Sequence, residues 1–85
     1  MEENMENTRE FKLNDFYQSC ILKTVGFPLI RLEKTAGHFV NFIFDDPDYK
    51  AEETIEKYWG REIKVVARDL IETINELKTR IHSGV

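Results

Sequence analysis

Three carboxylates fall within four positions in the stretch FDDPDY, residues 44–49: Asp45, Asp46 and Asp48. Side chains of that type at that spacing have two chemical uses. They can offer hard oxygen ligands to a divalent cation, or they can cap a helix and place negative charge at its positive end. A calcium loop spreads its ligands over about twelve residues around a central glycine and closes on a distal glutamate. The segment after Asp48, YKAEETIEKYW, has no glycine. Pro47 favours the helix, because proline suits the first helical position and an aspartate just before it is a good cap. Asp46 is therefore predicted to be the cap of a helix starting at Pro47, with Asp48 at its positive end and Asp45 closing the preceding strand. No metal ligand is assigned, and loss of the Asp46 cap should cost about 1 kcal/mol.

The remaining reactive groups are Cys20, His38 and His82. A catalytic thiol needs a base beside it and an electropositive setting. Cys20 instead falls on the apolar side of a helical pattern, where a free cysteine packs as a small hydrophobe. His38 lies beside a turn as an exposed polar residue, and His82 sits near the end of the chain. One cysteine excludes an internal disulfide and a multi-cysteine zinc motif. No glycine-rich phosphate loop, G-x-S-x-G or H-E-x-x-H is present. The expectation is a non-enzymatic chain without catalytic residues or cofactor.

Charge narrows the partners. The net charge is −4 over 85 residues, and residues 45–59 alone carry six acidic and two basic groups. Nucleic-acid binding rests on a concentrated basic footprint, and the basic residues here are dispersed. The candidates for such contact are Lys12, Lys23, Arg31, Lys34, Arg61 and Lys64. The acidic segment offers the opposite alternative, a nucleic-acid mimic built from Asp45, Asp46, Asp48, Glu52, Glu53 and Glu56. The polar start MEENMENTRE has no signal-peptide pattern, and no apolar run nears the ~20 residues of a membrane span. The expected location is the cytoplasm, away from membranes.

These residues need elements to hold them. Residues 1–9 lack periodicity and are expected to be a disordered tail, leaving 10–85 as one small α+β domain. EFKL (10–13) alternates briefly, as a short edge strand would. Asn14 or Asp15 then caps a helix with Phe16, Tyr17, Cys20, Ile21 and Val25 on one side, and Gly26 and Pro28 end it. PLIRLEK and HFVNFIF form a central β-hairpin across Thr35, Ala36 and Gly37. Strict alternation sends Ile30, Leu32, Val40, Phe42 and Phe44 to the core face. Leu29, Arg31, Glu33, Phe39, Asn41 and Ile43 then share the other face. A helix with Ala51, Ile55, Tyr58 and Trp59 inward follows, ended by Gly60, and EIKV (62–65) suggests another short strand. The last helix turns Leu70, Ile74, Leu77 and Ile81 inward. The expected architecture is an N-terminal helix, the hairpin, and two C-terminal helices packed on it. If no helix covers the second hairpin face, Arg31, Phe39, Asn41 and Ile43 form a docking patch for a protein partner or a second copy.

The order FKLNDFY, VGFPLI, FIFDD, YWG and ARDLIETINELKTRI, across about residues 10–82, resembles a family of small domains of unknown function. Its members occur in prokaryotic and mobile-element genomes: phages, plasmids and archaeal viruses. The resemblance implies mobile-element biology and no assigned activity. Joined to the reading of the residues, it leads to a small protein-interaction module, an accessory or inhibitor protein of a mobile element.

Overall fold

The computed structural model describes residues 9–35, 37 and 39–83. The domain is α+β. Its elements run β1 (Glu10–Leu13), α1 (Phe16–Val25), β2 (Leu29–Lys34), β3 (Val40–Asp45), α2 (Ala51–Trp59) and α3 (Ala67–His82). A strand, not a helix, comes first. It extends the hairpin into a three-stranded antiparallel sheet of order β1-β3-β2, so β3 is central and its flanking strands run parallel to each other. Arg9, assigned to the tail by sequence, belongs to the fold, because its carbonyl accepts the Asp46 N–H at 2.8 Å. Residues 1–8, Ala36, His38 and residues 84–85 lie outside the described residues, so the expectations for the tail and for His38 are not addressed.

Glu10 pairs with Asp45, Phe11 with Phe44, Lys12 with Ile43 and Leu13 with Phe42. On the other side of β3, Leu32 pairs with Phe42 and Arg31 with Ile43, and a bulge separates Leu29 from Arg31. An extra residue in one strand resets the alternation. Leu29 and Leu32 therefore both join the core, whereas Ile30, expected inside, is 40% exposed. The core face carries Phe11, Leu13, Leu29, Leu32, Val40, Phe42 and Phe44, covered by the helices through Cys20, Leu22, Ala51 and Leu77. Each large apolar side chain fully buried there contributes about 1.5–3 kcal/mol.

Asp15 caps α1 by accepting the Gln18 N–H at 2.8 Å, and Gly26 ends it at φ 119°, a conformation glycine adopts without a Cβ penalty. This helix packs against both α2 and α3. It is consequently buried through four successive residues, Ser19, Cys20, Ile21 and Leu22, and one amphipathic side does not describe it. Tyr17 and Val25, assigned inward by spacing, are exposed. Two α1 hydroxyls are satisfied locally: the buried Ser19 Oγ donates to the Asp15 carbonyl and the half-buried Thr24 Oγ1 to that of Cys20, each at 2.7 Å.

EIKV forms no strand and connects α2 to α3 as irregular chain. Gly60 ends α2 without a positive φ, and Arg61 takes the left-handed conformation at φ 63° instead. Along α3 only Leu77 is fully buried; Leu70, Ile74 and Ile81 pack partly against the core and Ile71 faces out. Arg68 donates to Glu72 at 3.0 Å across one helical turn, while Glu76 turns to Lys23 of α1 at 3.5 Å.

Candidate functional site

The three aspartates diverge. Asp46 is 1% exposed, and its carboxylate accepts the N–H groups of Lys50 at 2.8 Å and Ala51 at 3.2 Å. It also pairs with the Arg9 guanidinium, which lies 4.2 Å from the centre of the Tyr49 ring. The N-cap of α2 is Lys50 and not Asp46; the helix starts at Ala51, four residues later than Pro47 suggests, and Asp46 braces that start from outside it. The delay comes from a turn in which Tyr49 N–H donates to the Asp46 carbonyl at 3.2 Å and Tyr49 adopts φ 58°. A left-handed residue cannot continue a right-handed helix. Asp45 closes β3 as expected, with its Oδ1 buried and unpaired, and Asp48 is exposed in the turn. Among the described residues no group of three or more His, Cys, Asp or Glu side chains is arranged to hold a metal ion. The strand end and the α1–β2 turn do enclose a groove of about 340 Å³ lined by Val25, Phe27, Pro28, Asp45, Asp46, Pro47, Asp48 and Lys50. Its charged lining is the three aspartates and Lys50.

Cys20 is fully buried in the core. Burial pushes its thiol up to about 11 from an ordinary 9.0, against a smaller opposing pull from Lys78. The folded state therefore holds the neutral thiol, while the unfolded chain ionises near its ordinary value. That contribution to stability is fully present below pH 9 and is lost as pH rises through 11. A thiol reagent should label the native chain slowly and the denatured chain rapidly. Rapid labelling of native protein would remove Cys20 from the core.

The outer sheet face is not an open apolar patch. Ile43 occupies its central strand at 1% exposure, between Lys12 and Arg31 in the register. Arg31 donates twice to Glu10, at 2.9 Å each, and once to Glu33 at 2.8 Å. The guanidinium thus crosses from β2 to β1 over the strand that carries Ile43. The hydrogen bonds from Arg31 hold the Glu10 carboxyl below its usual range, and the two carboxylates hold the guanidinium above its own. Of the docking set Arg31, Phe39, Asn41 and Ile43, only Phe39 offers substantial apolar surface, at 66% exposure. Ile43 is corrected from interface to interior, and Arg31 from orienting group to part of a closed charge network.

The basic set does not converge either. Lys12 and Arg31 share the outer sheet face, Lys23 is on α1 and bonded to Glu76, Lys34 ends β2, and Arg61 and Lys64 lie in the α2–α3 connection. The acidic set is also divided. Asp46 is buried, and Glu53 pairs with Lys50 and Lys57.

What remains is one flank of α2. Ala51 and Ile55 turn toward the core, as the spacing predicts, and Tyr58 is half-buried, but Trp59 is 68% exposed instead of packed inside. It sits one residue beyond Tyr58 and rotates about 100° away from it, onto the flank of Glu52 and Glu56. Its ring meets Tyr58 edge-on with centroids 5.3 Å apart, which fixes its direction. Glu52 and Glu56 make no ion pair with any described residue. The 52-56-59 spacing sets Trp59 on the acidic flank, although helical spacing from Ala51 and Ile55 also admits it at the edge of the inward face. No protein-family model matches the chain, and no match was found among curated proteins or solved structures.

Proposed function

We propose that this chain is a small non-enzymatic protein-interaction module that docks through the Glu52–Glu56–Trp59 flank of α2. Its partner presents an apolar recess for the indole and a basic rim for the two carboxylates. The observation that carries the reading is the exposure of Trp59 beside unpaired charges. Tryptophan is the residue type most enriched at the energetic centre of interfaces, and flanking charges of one sign steer an oppositely charged partner and fix its orientation. With the family resemblance, the module serves as an accessory or inhibitor protein of a mobile element, acting on a protein and not on a substrate.

The test is affinity capture from extract of the native source by the immobilised chain, compared with Trp59→Ala and with Glu52→Lys/Glu56→Lys. Both variants alter exposed side chains and should melt within a few degrees of the parent. A polypeptide held by the parent should be lost with Trp59→Ala by about tenfold or more, the scale of an interface hot spot. Equal retention by all three chains would place the docking surface elsewhere.

A further inference from the structure

The sheet leaves two strand edges, one on β1 and one on β2, because β3 lies between them. The β2 edge is blunted, since Pro28 precedes it and a bulge interrupts it between Leu29 and Arg31, both devices that discourage further pairing. The β1 edge has neither. Its bonding to β3 determines which backbone groups stay free. The Asp46 N–H donates to the Arg9 carbonyl, and antiparallel ladders alternate bonded and non-bonded pairs. In the observed register, Arg9, Phe11 and Leu13 are then the residues bonded to β3. The N–H and C=O groups of Glu10 and Lys12 point out of the edge.

We propose that β1 pairs with β1 of a second copy of this chain, antiparallel about a two-fold axis at Phe11, joining two three-stranded sheets into one of six strands. The occupant follows from charge. In this register Glu10 of each copy lies opposite Lys12 of the other, and these two pairs exchange the four free backbone hydrogen bonds. Phe11 faces Phe11 across the axis on the core side, at a non-bonded pair, where cross-strand side chains come closest. Sliding the register by two in either direction sets Glu10 against Glu10 or Lys12 against Lys12 at the axis, which like charge disfavours. Lys12 has no ion pair among the described residues, and Arg31 already holds Glu10 from the other side. A row of alternating sign, Arg31–Glu10–Lys12, then runs across the junction. The contact is small, in the class of weak and transient interfaces, so the copies exchange with concentration. This surface is distinct from the Trp59 flank and does not depend on it.

Sedimentation velocity of the full chain over a wide concentration range tests the pairing. The average mass should climb from one chain toward two. Lys12→Pro should stay monomeric throughout yet melt like the parent, because it deletes an N–H that the monomer leaves unbonded, and proline is accepted on an edge strand facing solvent. Lys12→Glu and Glu10→Lys should each be monomeric alone and should associate when mixed, since mixing restores unlike charges at both positions. If Lys12→Pro fails to fold, these two charge variants carry the test. A parent chain that stays monomeric to its solubility limit overturns the proposal. So does a folded Lys12→Pro that dimerises like the parent, or a mixture of the charge variants that does not associate.

Discussion

Asp46→Ala is expected to lower the unfolding free energy by about 3 kcal/mol, well beyond the loss of an ordinary helix cap. One carboxylate here serves three partners: the N–H groups of Lys50 and Ala51 and the Arg9 guanidinium. Removing it strands two backbone donors, one of them the Ala51 N–H in a buried bond, and leaves a partly buried cation without its counter-charge, the costly half of breaking such a pair. Arg9 retains some contact with water, which keeps the figure at the lower end. Asp46→Asn keeps an acceptor for α2 but loses the charge, and should cost about half as much. Urea unfolding of the three chains measures this. Magnesium or calcium should leave the melting temperature of the parent unchanged. A cost for Asp46→Ala below 1 kcal/mol, or a metal-dependent rise that disappears in Asp45→Asn, would return the aspartates to ligand chemistry.

Phe42→Ala should cost about 3–5 kcal/mol, the range for deleting a large aromatic from a packed interior. Phe42 is buried in the central strand and meets Phe16 of α1 edge-on at 6.3 Å, so its loss opens a cavity where sheet and first helix join. For a domain of this size that is a large share of the total stability. Phe39→Ala, only three positions earlier on the exposed approach to β3, should change stability by no more than about 0.5 kcal/mol. Comparable losses at the two positions would mean that the sheet faces are assigned wrongly.

The outline of the fold was legible because its signals are local. A cap at Asn14 or Asp15 (Asp15 in the fold), Gly26 as a left-handed stop and Gly37 at φ 82° in the hairpin loop each follow from local residue chemistry. What escaped depends on neighbours far along the chain. The bulge that turns Ile30 outward and Leu29 inward exists only once β2 is paired with β3. The burial of four successive residues in α1 comes from packing against two helices. EIKV alternates like a strand but lies outside the three-stranded sheet, and an unpaired run of that length is not a stable strand.

The candidate site divides along the same line. Pro47 pointed to Asp46 as the N-cap, but the helix starts at Ala51 behind a turn, and the bonds of Asp46 to that start and to Arg9, 37 positions away, are not local signals. Ile43 looked like the centre of a docking patch because alternation places it opposite the core face. The covering Arg31–Glu10 pair joins strands 21 positions apart, which periodicity does not report. Trp59 was placed inward by the same helical spacing as Ala51 and Ile55, but it lies at the edge of that face beside Glu52 and Glu56 and ends exposed.

The most direct measurement uses the fluorescence of Trp59, the only tryptophan in the chain. The free chain should show the emission of a water-exposed indole, open to an aqueous quencher in the native state much as in the denatured state. Adding the polypeptide captured from the native source should shift the emission to the blue and shield it from the quencher, as the ring passes from water into the partner's recess. Native emission that is already blue-shifted and protected would mean that the fold itself covers Trp59. A water-like spectrum unchanged by a partner that binds would mean that docking occurs on another surface. Either result contradicts the account.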